Sequence, residues 1–147
     1  QSYVELMKKH NGGLVHLDCC PCDKPTSWAK DHICISGIMG IGRDKEYSLC
    51  GALGSQFMID EWEYPAIGVA ICDTPSAGHD MVFLDYRECG PNGEPCVVHV
   101  DQEFDYKITR LADTFEEFVV KLCIIDEEDG DDESPCIHSE YSEGFWD

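Results

Sequence analysis

The chain has 147 residues, 43% of them hydrophobic, and a formal net charge of −20 at pH 7. This length is enough for one domain with one hydrophobic core. We expect no membrane or nucleic-acid partner, because no apolar run reaches the ~18 residues of a membrane helix and the acidic surface repels phosphate groups. No signal peptide is visible, and the absence of an initial Met suggests a missing N-terminal piece.

The N-terminal third is predicted to contain short elements. Residues 3–10 have the pattern of the end of a helix, because Lys8, Lys9 and His10 suit its negative end and Asn11-Gly12-Gly13 can cap it. Further along, we expect a short strand over 14–17, an irregular stretch over 18–31 and a weakly alternating strand over 32–41.

The segment between residues 48 and 63 is ambiguous. Ser48 could cap a helix containing apolar residues at helical spacing, but Gly51 and Gly54 weaken that interpretation. Both possibilities stay open at this point.

Ten cysteines require an explanation. We expect mainly reduced core thiols of a cytoplasmic protein, because Cys34, Cys72, Cys96 and Cys123 replace apolar residues in predicted elements. Cys89 and Cys96 flank a predicted turn, so a disulfide between them is an alternative.

A zinc site is a third interpretation of the cysteines. Residues 19–22 contain a Cys-x-x-Cys motif, and His16, His32 and Cys34 could supply further ligands. A second closely spaced Cys pair is missing, so we predict no metal.

The strongest β signals lie between residues 66 and 103. Residues 66–72 form an apolar strand, and residues 80–103 are predicted to form a β-hairpin whose turn contains Asn92-Gly93. Residues 81–86 are apolar or aromatic at nearly every step, which indicates burial on both faces.

The second hairpin strand alternates in polarity. Val98 and Val100 face one side, whereas His99, Asp101 and Glu103 face the other, which predicts a half-buried strand with a polar face. Three such side chains stand in a row about 6–7 Å apart, too far apart to hold one ion without help from other strands.

The clearest helix is predicted over residues 111–122. Asp113 or Thr114 can cap it, and Glu116 and Glu117 suit the positive end of its dipole. The stripe expected to pack on the sheet consists of Phe115, Phe118, Val119 and Leu122.

The last 22 residues are strongly acidic. Residues 126–147 hold ten acids and no Lys or Arg, which is half of the net charge. We predict a domain over residues 1–125 and an acidic, solvated linker and tail over 126–147.

Four short motifs occur in order between residues 60 and 122. They are Asp85-Tyr86, Gly90, Asp101-Gln102-Glu103 and Phe115-Glu116-Glu117-Phe118. In this order they resemble the C-terminal core of the SUKH superfamily, which includes bacterial proteins similar to the yeast Smi/Knr cell-wall-assembly regulators. The resemblance is looser over residues 1–59 and ends near residue 126.

The resemblance implies a fold and a function. The fold is a single α+β domain, in which a mostly antiparallel sheet of five or six strands packs against N- and C-terminal helices. The function is that of an immunity protein, which binds and neutralises a cognate polymorphic toxin, expected to be a basic nuclease-type domain. The alternative is a general protein-interaction module that regulates an assembly such as cell-wall synthesis.

No catalytic motif is found, so we predict a protein that is not an enzyme and needs no cofactor or small-molecule substrate. Asp85, Tyr86, Asp101 and Glu103 match the SUKH pattern and could instead serve the fold. The candidate partner-binding residues are Asp80, Asp85, Tyr86, His99, Asp101 and Glu103.

Overall fold

The computed structural model describes residues 2–26, 29–42, 45, 48–76 and 78–123. None of the helices in these ranges is long and apolar enough to cross a membrane. The elements are α1 (Ser2–Lys9), β1 (Gly13–Leu14), β2 (Cys19–Pro21), β3 (His32–Cys34), β4 (Gly37–Ile38), α2 (Ser55–Glu61), β5 (Gly68–Asp73), β6 (Asp80–Asp85), β7 (Cys96–Asp101), a 3-10 turn (Gln102–Phe104), β8 (Lys107–Ala112) and α3 (Phe115–Lys121).

Six strands form the main sheet, in the order β1-β4-β5-β6-β7-β8. Every neighbouring pair in it is antiparallel. β2 and β3 form a separate antiparallel pair. The prediction of an α+β domain with a mostly antiparallel sheet of five or six strands is therefore confirmed.

Apolar layers cover both faces of this sheet. On one face α1 and α3 pack on Val82, Leu84 and Val97, together with side chains of β2 and β3. On the other face, the side chains of Met81 and Phe83 meet those of α2. The predicted packing against the N- and C-terminal helices is confirmed, and α2 adds a third helix on the opposite side.

The predicted hairpin forms, but its second strand is shorter than expected. β6 and β7 pair in register from Asp80 opposite Asp101 to Asp85 opposite Cys96. β7 ends at Asp101, and Glu103 lies in the following 3-10 turn. The prediction of a half-buried strand is wrong, because every residue of β7 is buried.

The start of the last helix is also corrected. Leu111 and Ala112 belong to β8, a strand that the sequence analysis missed, and α3 begins at Phe115. β8 pairs with β7, so the ladder rather than helical spacing decides the conformation of these two residues. Of the two predicted caps, Thr114 is used: its hydroxyl accepts a hydrogen bond from the Glu117 N–H at 3.1 Å.

The predicted N-terminal helix is confirmed, whereas the strands after it are short. Gly12, with a φ of +78°, follows α1. Its conformation is one that L side chains rarely adopt. The strand predicted over residues 14–17 is only β1, and the one predicted over 32–41 is divided between β3 and β4. These two strands lie in different sheets.

The ambiguous segment is resolved as a late, short helix. α2 begins at Ser55 with Gly54 as its N-cap, so Ser48 does not cap it. Turn hydrogen bonds occupy the preceding residues, from Gly51 to Ser48 and from Gly54 to Gly51. The predicted acidic linker and tail over residues 126–147 lie outside the described residues.

Replacing Thr114 by Ala should lower the free energy of unfolding by about 1 kcal/mol, because the first turn of α3 then loses its side-chain cap. Urea unfolding followed by circular dichroism measures the change. Thr114→Ser keeps the accepting oxygen and should unfold close to the wild type. Equal destabilisation by Ala and Ser would contradict the capping role.

Candidate functional site

The six candidate residues divide between the two ends of β6. Asp80, His99 and Asp101 lie at one end, because Asp80 faces Asp101 across the β6–β7 ladder and His99 is two residues away on the same face. Asp85 and Tyr86 lie at the other end. A six-residue strand spans about 17 Å, so the sequence-predicted set is not one site.

Asp80 is the centre of a buried polar cluster. Its Oδ1 accepts hydrogen bonds from the Thr74 hydroxyl, at 2.6 Å, and from the Ser76 hydroxyl. Its Oδ2 lies 2.7 Å from His99 Nε2. The cluster therefore ties the turn after β5 to β6 and β7.

The protonation of this cluster follows from its contacts. Burial by itself would raise the pKa of Asp80, but the hydrogen bonds from His99, Ser76 and Thr74 together hold it below its ordinary value. An ionised carboxylate only accepts hydrogen bonds, so His99 Nε2 carries the proton that it shares with Asp80.

The His99 ring has no contact with solvent. Its side chain is 0% exposed, and its Nδ1 has no hydrogen-bond partner among the described residues. The two nearby hydroxyls bond to the carboxylate rather than to the imidazole. In this arrangement the cluster holds strands together, and its Asp80 and His99 side chains have almost no contact with solvent.

Asp85 fixes the opposite end of β6. The Arg87 guanidinium binds its two oxygens from Nε at 3.0 Å and from Nη2 at 2.7 Å. The backbone N–H of Arg87 also donates to Asp85. The bonds from Arg87 hold the pKa of Asp85 below its ordinary value, and the carboxylate shapes the turn that follows β6.

Tyr86, beside this turn, is half-buried. Its ring packs against the core cluster on the side of α1 and α3, and its backbone N–H donates to Ile67. Burial raises the pKa of its hydroxyl. The Asp-Tyr pair of the SUKH pattern therefore contributes to both the turn and the core.

Glu103 belongs to a different environment, on the surface. Its Oε1 lies 2.7 Å from His79 Nδ1, and both side chains are more than half exposed. The His79 ring stands edge-on to Trp62, with ring centroids 5.7 Å apart. The Tyr106 hydroxyl donates to the Trp62 carbonyl at 2.7 Å.

These contacts define a surface that joins three loops. We call it the acidic–aromatic surface. It has an exposed ring, Phe104, at 52% exposure. Trp62 and Tyr106 pack against the core on the α2 side of the sheet. Its members are Trp62, Glu63, His79, Glu103, Phe104, Asp105 and Tyr106.

Three of its residues have left-handed backbone conformations. Glu63, Asp105 and Tyr106 have φ values of 61°, 55° and 60°, and they are the positive-φ residues other than Gly in the described part of the chain. Such conformations cost on the order of 1–3 kcal/mol each and often occur where function requires them. Sequence analysis missed this surface except for Glu103, because its aromatic residues lie in loops without a repeating pattern.

Of the cysteines in the described part of the chain, five are buried: Cys19, Cys20, Cys72, Cys96 and Cys123. No three His, Cys, Asp or Glu side chains of the described residues converge as metal ligands. Cys22 of the proposed zinc motif donates to the Lys24 carbonyl instead. Cys89 and Cys96, the proposed disulfide pair, are both free thiols.

Comparison with known proteins identifies one family. A family model described as SMI1-KNR4 cell-wall, of the SUKH_6 group, matches residues 1–119. The match includes the N-terminal half, where the resemblance in the sequence was looser. No curated protein and no solved structure gives a significant match.

Two His–carboxylate pairs with the same 2.7 Å separation allow a matched test of burial. Asp80→Asn should lower the free energy of unfolding by about 1–3 kcal/mol, because the neutral amide accepts weaker hydrogen bonds than the carboxylate and its NH2 group replaces one of the two accepting oxygens. Glu103→Gln breaks an exposed pair and should cost at most about 1 kcal/mol. Denaturant unfolding measures both losses. Equal losses would contradict the role of Asp80 in tying the turn after β5 to β6 and β7.

The Asp80 contribution should also depend on pH. Because its pKa in the fold lies below the ordinary value of 3.8, its stabilisation is present above that value and is lost as the pH falls through the folded pKa. The difference in unfolding free energy between wild type and Asp80→Asn should shrink as the pH falls from about 5 into acid. Urea midpoints of both proteins over a pH series measure this difference. A difference that stays unchanged until the protein unfolds in acid would contradict the proposed pH dependence of the Asp80 contribution.

Proposed function

Because the chain belongs to the SMI1-KNR4 cell-wall family, we propose that it is an immunity protein. It binds a cognate polymorphic toxin, a basic domain of the nuclease type, and neutralises it by protein–protein contact. The observation that carries this proposal is the combination of the family with a net charge of −20. Bacterial members of the superfamily are similar, as a class, to toxin-immunity proteins.

The charge supports the choice of a basic partner. A nuclease needs a positive surface to bind the phosphate backbone, and a strongly acidic protein is complementary to such a surface. Complementary charge accelerates encounter and selects against acidic or neutral competitors. The inhibitor would then cover the surface that otherwise binds nucleic acid.

We place the contact on the acidic–aromatic surface. Aromatic side chains dominate the binding energy of most protein interfaces, and Trp and Tyr are enriched among the strongest contributors. Phe104 offers an exposed ring between the carboxylates of Glu103 and Asp105 in the sequence. The left-handed residues of this surface support the same assignment, because local strain is often retained at binding sites.

The six residues singled out from the sequence take two roles in this proposal. Glu103 contacts the partner directly, and Tyr86 is accessible enough to add a contact on another part of the domain. Asp80, Asp85, His99 and Asp101 are at most 5% exposed. They act through the fold: Asp80, His99 and Asp101 lie at the ends of β6 and β7 below the loops that meet the partner, and Asp85 holds the turn at the opposite end of β6.

A general protein-interaction module is the second candidate. The cell-wall description of the matching family favours it. The same acidic–aromatic surface would then bind a component of a cell-wall assembly. The two candidates differ in whether the chain protects a cell from a toxin.

The test uses a toxin domain encoded beside this gene, with growth rescue and the dissociation constant as readouts. Phe104→Ala should weaken binding about tenfold or more, because it removes the exposed aromatic contact. Leu14→Ala is its control, because Leu14 is 91% exposed on the edge strand β1. Full rescue by Phe104→Ala with unchanged affinity would contradict the placement of the interface.

A second pair of variants separates local contact from overall charge. Glu103→Lys and Glu116→Lys change the net charge equally, but Glu116 lies on the exposed side of α3. Glu103→Lys should increase the dissociation rate, whereas Glu116→Lys should change only the salt-dependent association rate. If no neighbouring toxin is neutralised and a cell-wall complex is bound instead, the second candidate function is favoured.

A further inference from the structure

Two cysteines face each other across the small sheet. Cys19 of β2 is the register partner of Cys34 of β3. Their Sγ atoms lie 2.7 Å apart. A disulfide bond is about 2.05 Å long, so bond formation requires only a small movement of the two side chains.

The hydrogen bonds between β2 and β3 show which type of antiparallel pair Cys19 and Cys34 form. The Ile35 N–H donates to Asp18 at 2.7 Å, and the Cys22 N–H donates to Asp31 at 2.8 Å. In an antiparallel ladder, hydrogen-bonded pairs alternate with non-hydrogen-bonded pairs. Asp18 and Ile35 form a hydrogen-bonded pair, so the next pair, Cys19 and Cys34, is a non-hydrogen-bonded pair. Opposite side chains are closest at such pairs, where the Cα atoms are about 4.5 Å apart, within the range that a disulfide spans.

The two thiols differ in exposure. Cys19 is 5% exposed, whereas Cys34 is partly exposed. The hydrogen bond with Cys34, together with burial and the neighbouring Asp18, raises the pKa of Cys19 far above its ordinary value. Cys19 therefore stays a protonated thiol, and an oxidant in solution meets Cys34 first.

We propose that Cys19 and Cys34 form an oxidation site, which a peroxide converts into a cross-strand disulfide. The Cys34 thiol loses its proton and the resulting thiolate attacks one peroxide oxygen, which breaks the O–O bond and forms Cys34 sulfenic acid; the released hydroxide and the thiol proton make one water when the oxidant is hydrogen peroxide. Cys19 then gives its proton to the hydroxyl of the sulfenic acid as its sulfur attacks the Cys34 sulfur, so that the S–O bond breaks, the S–S bond forms and a second water leaves. Two thiols lose two electrons in total, and the peroxide gains them.

The position of the pair gives the disulfide a structural consequence. The backbone of Cys19 also exchanges two hydrogen bonds with Cys123, at 2.8 and 2.9 Å, just after α3. A covalent bond to Cys34 would therefore fix β3 to the segment that holds the end of α3. The site shares no residue with the proposed toxin contact, because β2 and β3 pack through Cys20 and Ile33 on the α1–α3 side of the main sheet.

Peptide mapping of the full chain tests this site. The reduced protein is treated with hydrogen peroxide, remaining thiols are blocked with N-ethylmaleimide, and the chain is cut with trypsin. Cys34 is the only cysteine between Lys30 and Arg43, whereas Cys19 shares the 10–30 peptide with Cys20 and Cys22. We expect these two peptides to be joined, with the mass of two hydrogen atoms lost and both thiols restored by a phosphine reductant.

Variants identify the partner of Cys34. Cys19→Ser should abolish the joined peptide, whereas Cys22→Ser, and Cys50→Ser at an exposed thiol, should retain it. Fragmentation of the wild-type joined peptide gives the same assignment even where a variant folds poorly. A joined peptide that persists in Cys19→Ser would overturn the proposal. So would a Cys34 that remains fully alkylated after peroxide has oxidised Cys50.

Hydrogen exchange supplies an independent readout. In the oxidised wild type, amide exchange in β2 and β3 should slow and should return to its original rate after reduction. The Cys34→Ser chain should show no such change with peroxide. Unchanged exchange in the oxidised wild type would contradict the proposed tie between the two strands.

Discussion

Burial of β6 and β7 on both faces is the constraint on which the rest of the structure depends. Every residue of both strands is buried. Apolar side chains meet this condition directly, but a buried polar group needs a protein partner in place of water. Asp80 finds two hydroxyls and an imidazole, and Asp85 finds a guanidinium. The loops at both ends of β6 take their shape from these requirements.

The same constraint places the proposed recognition surface away from the central strands. Side chains that are buried at the ends of β6 and β7 can position loops but cannot meet a partner themselves. At the end of the sheet where Asp80 pairs with Asp101, the groups that reach solvent come from the turn before β6, the segment after α2 and the connection between β7 and β8. Their common features are carboxylates and aromatic rings, which suit a basic protein surface better than a small molecule or nucleic acid.

The two layers that cover the sheet separate the proposed partner binding from the proposed oxidation of Cys19 and Cys34. The acidic–aromatic surface packs on the α2 side, whereas β2 and β3 pack with α1 and α3. A change in the oxidation state of Cys19 and Cys34 would therefore act on the layer opposite the proposed interface. Partner binding and redox chemistry can be measured separately, because neither uses a side chain of the other.

The sequence by itself determined the β6–β7 hairpin, α1 and the apolar stripe of α3, because hydrophobic periodicity and turn residues act locally, and its resemblance to the SUKH superfamily implied the fold class. It did not determine β8: Leu111 and Ala112 fit the helical spacing of α3, and only pairing with β7 makes them a strand. Likewise, alternation suggested that His99 and Asp101 face solvent, since a pattern of polarity does not reveal which layer covers a face. Tertiary structure decided that the His99 face is buried, that His79 contacts both Glu103 and Trp62, and that Cys19 faces Cys34. Each of these depends on contacts between segments distant in the chain, which no local pattern encodes.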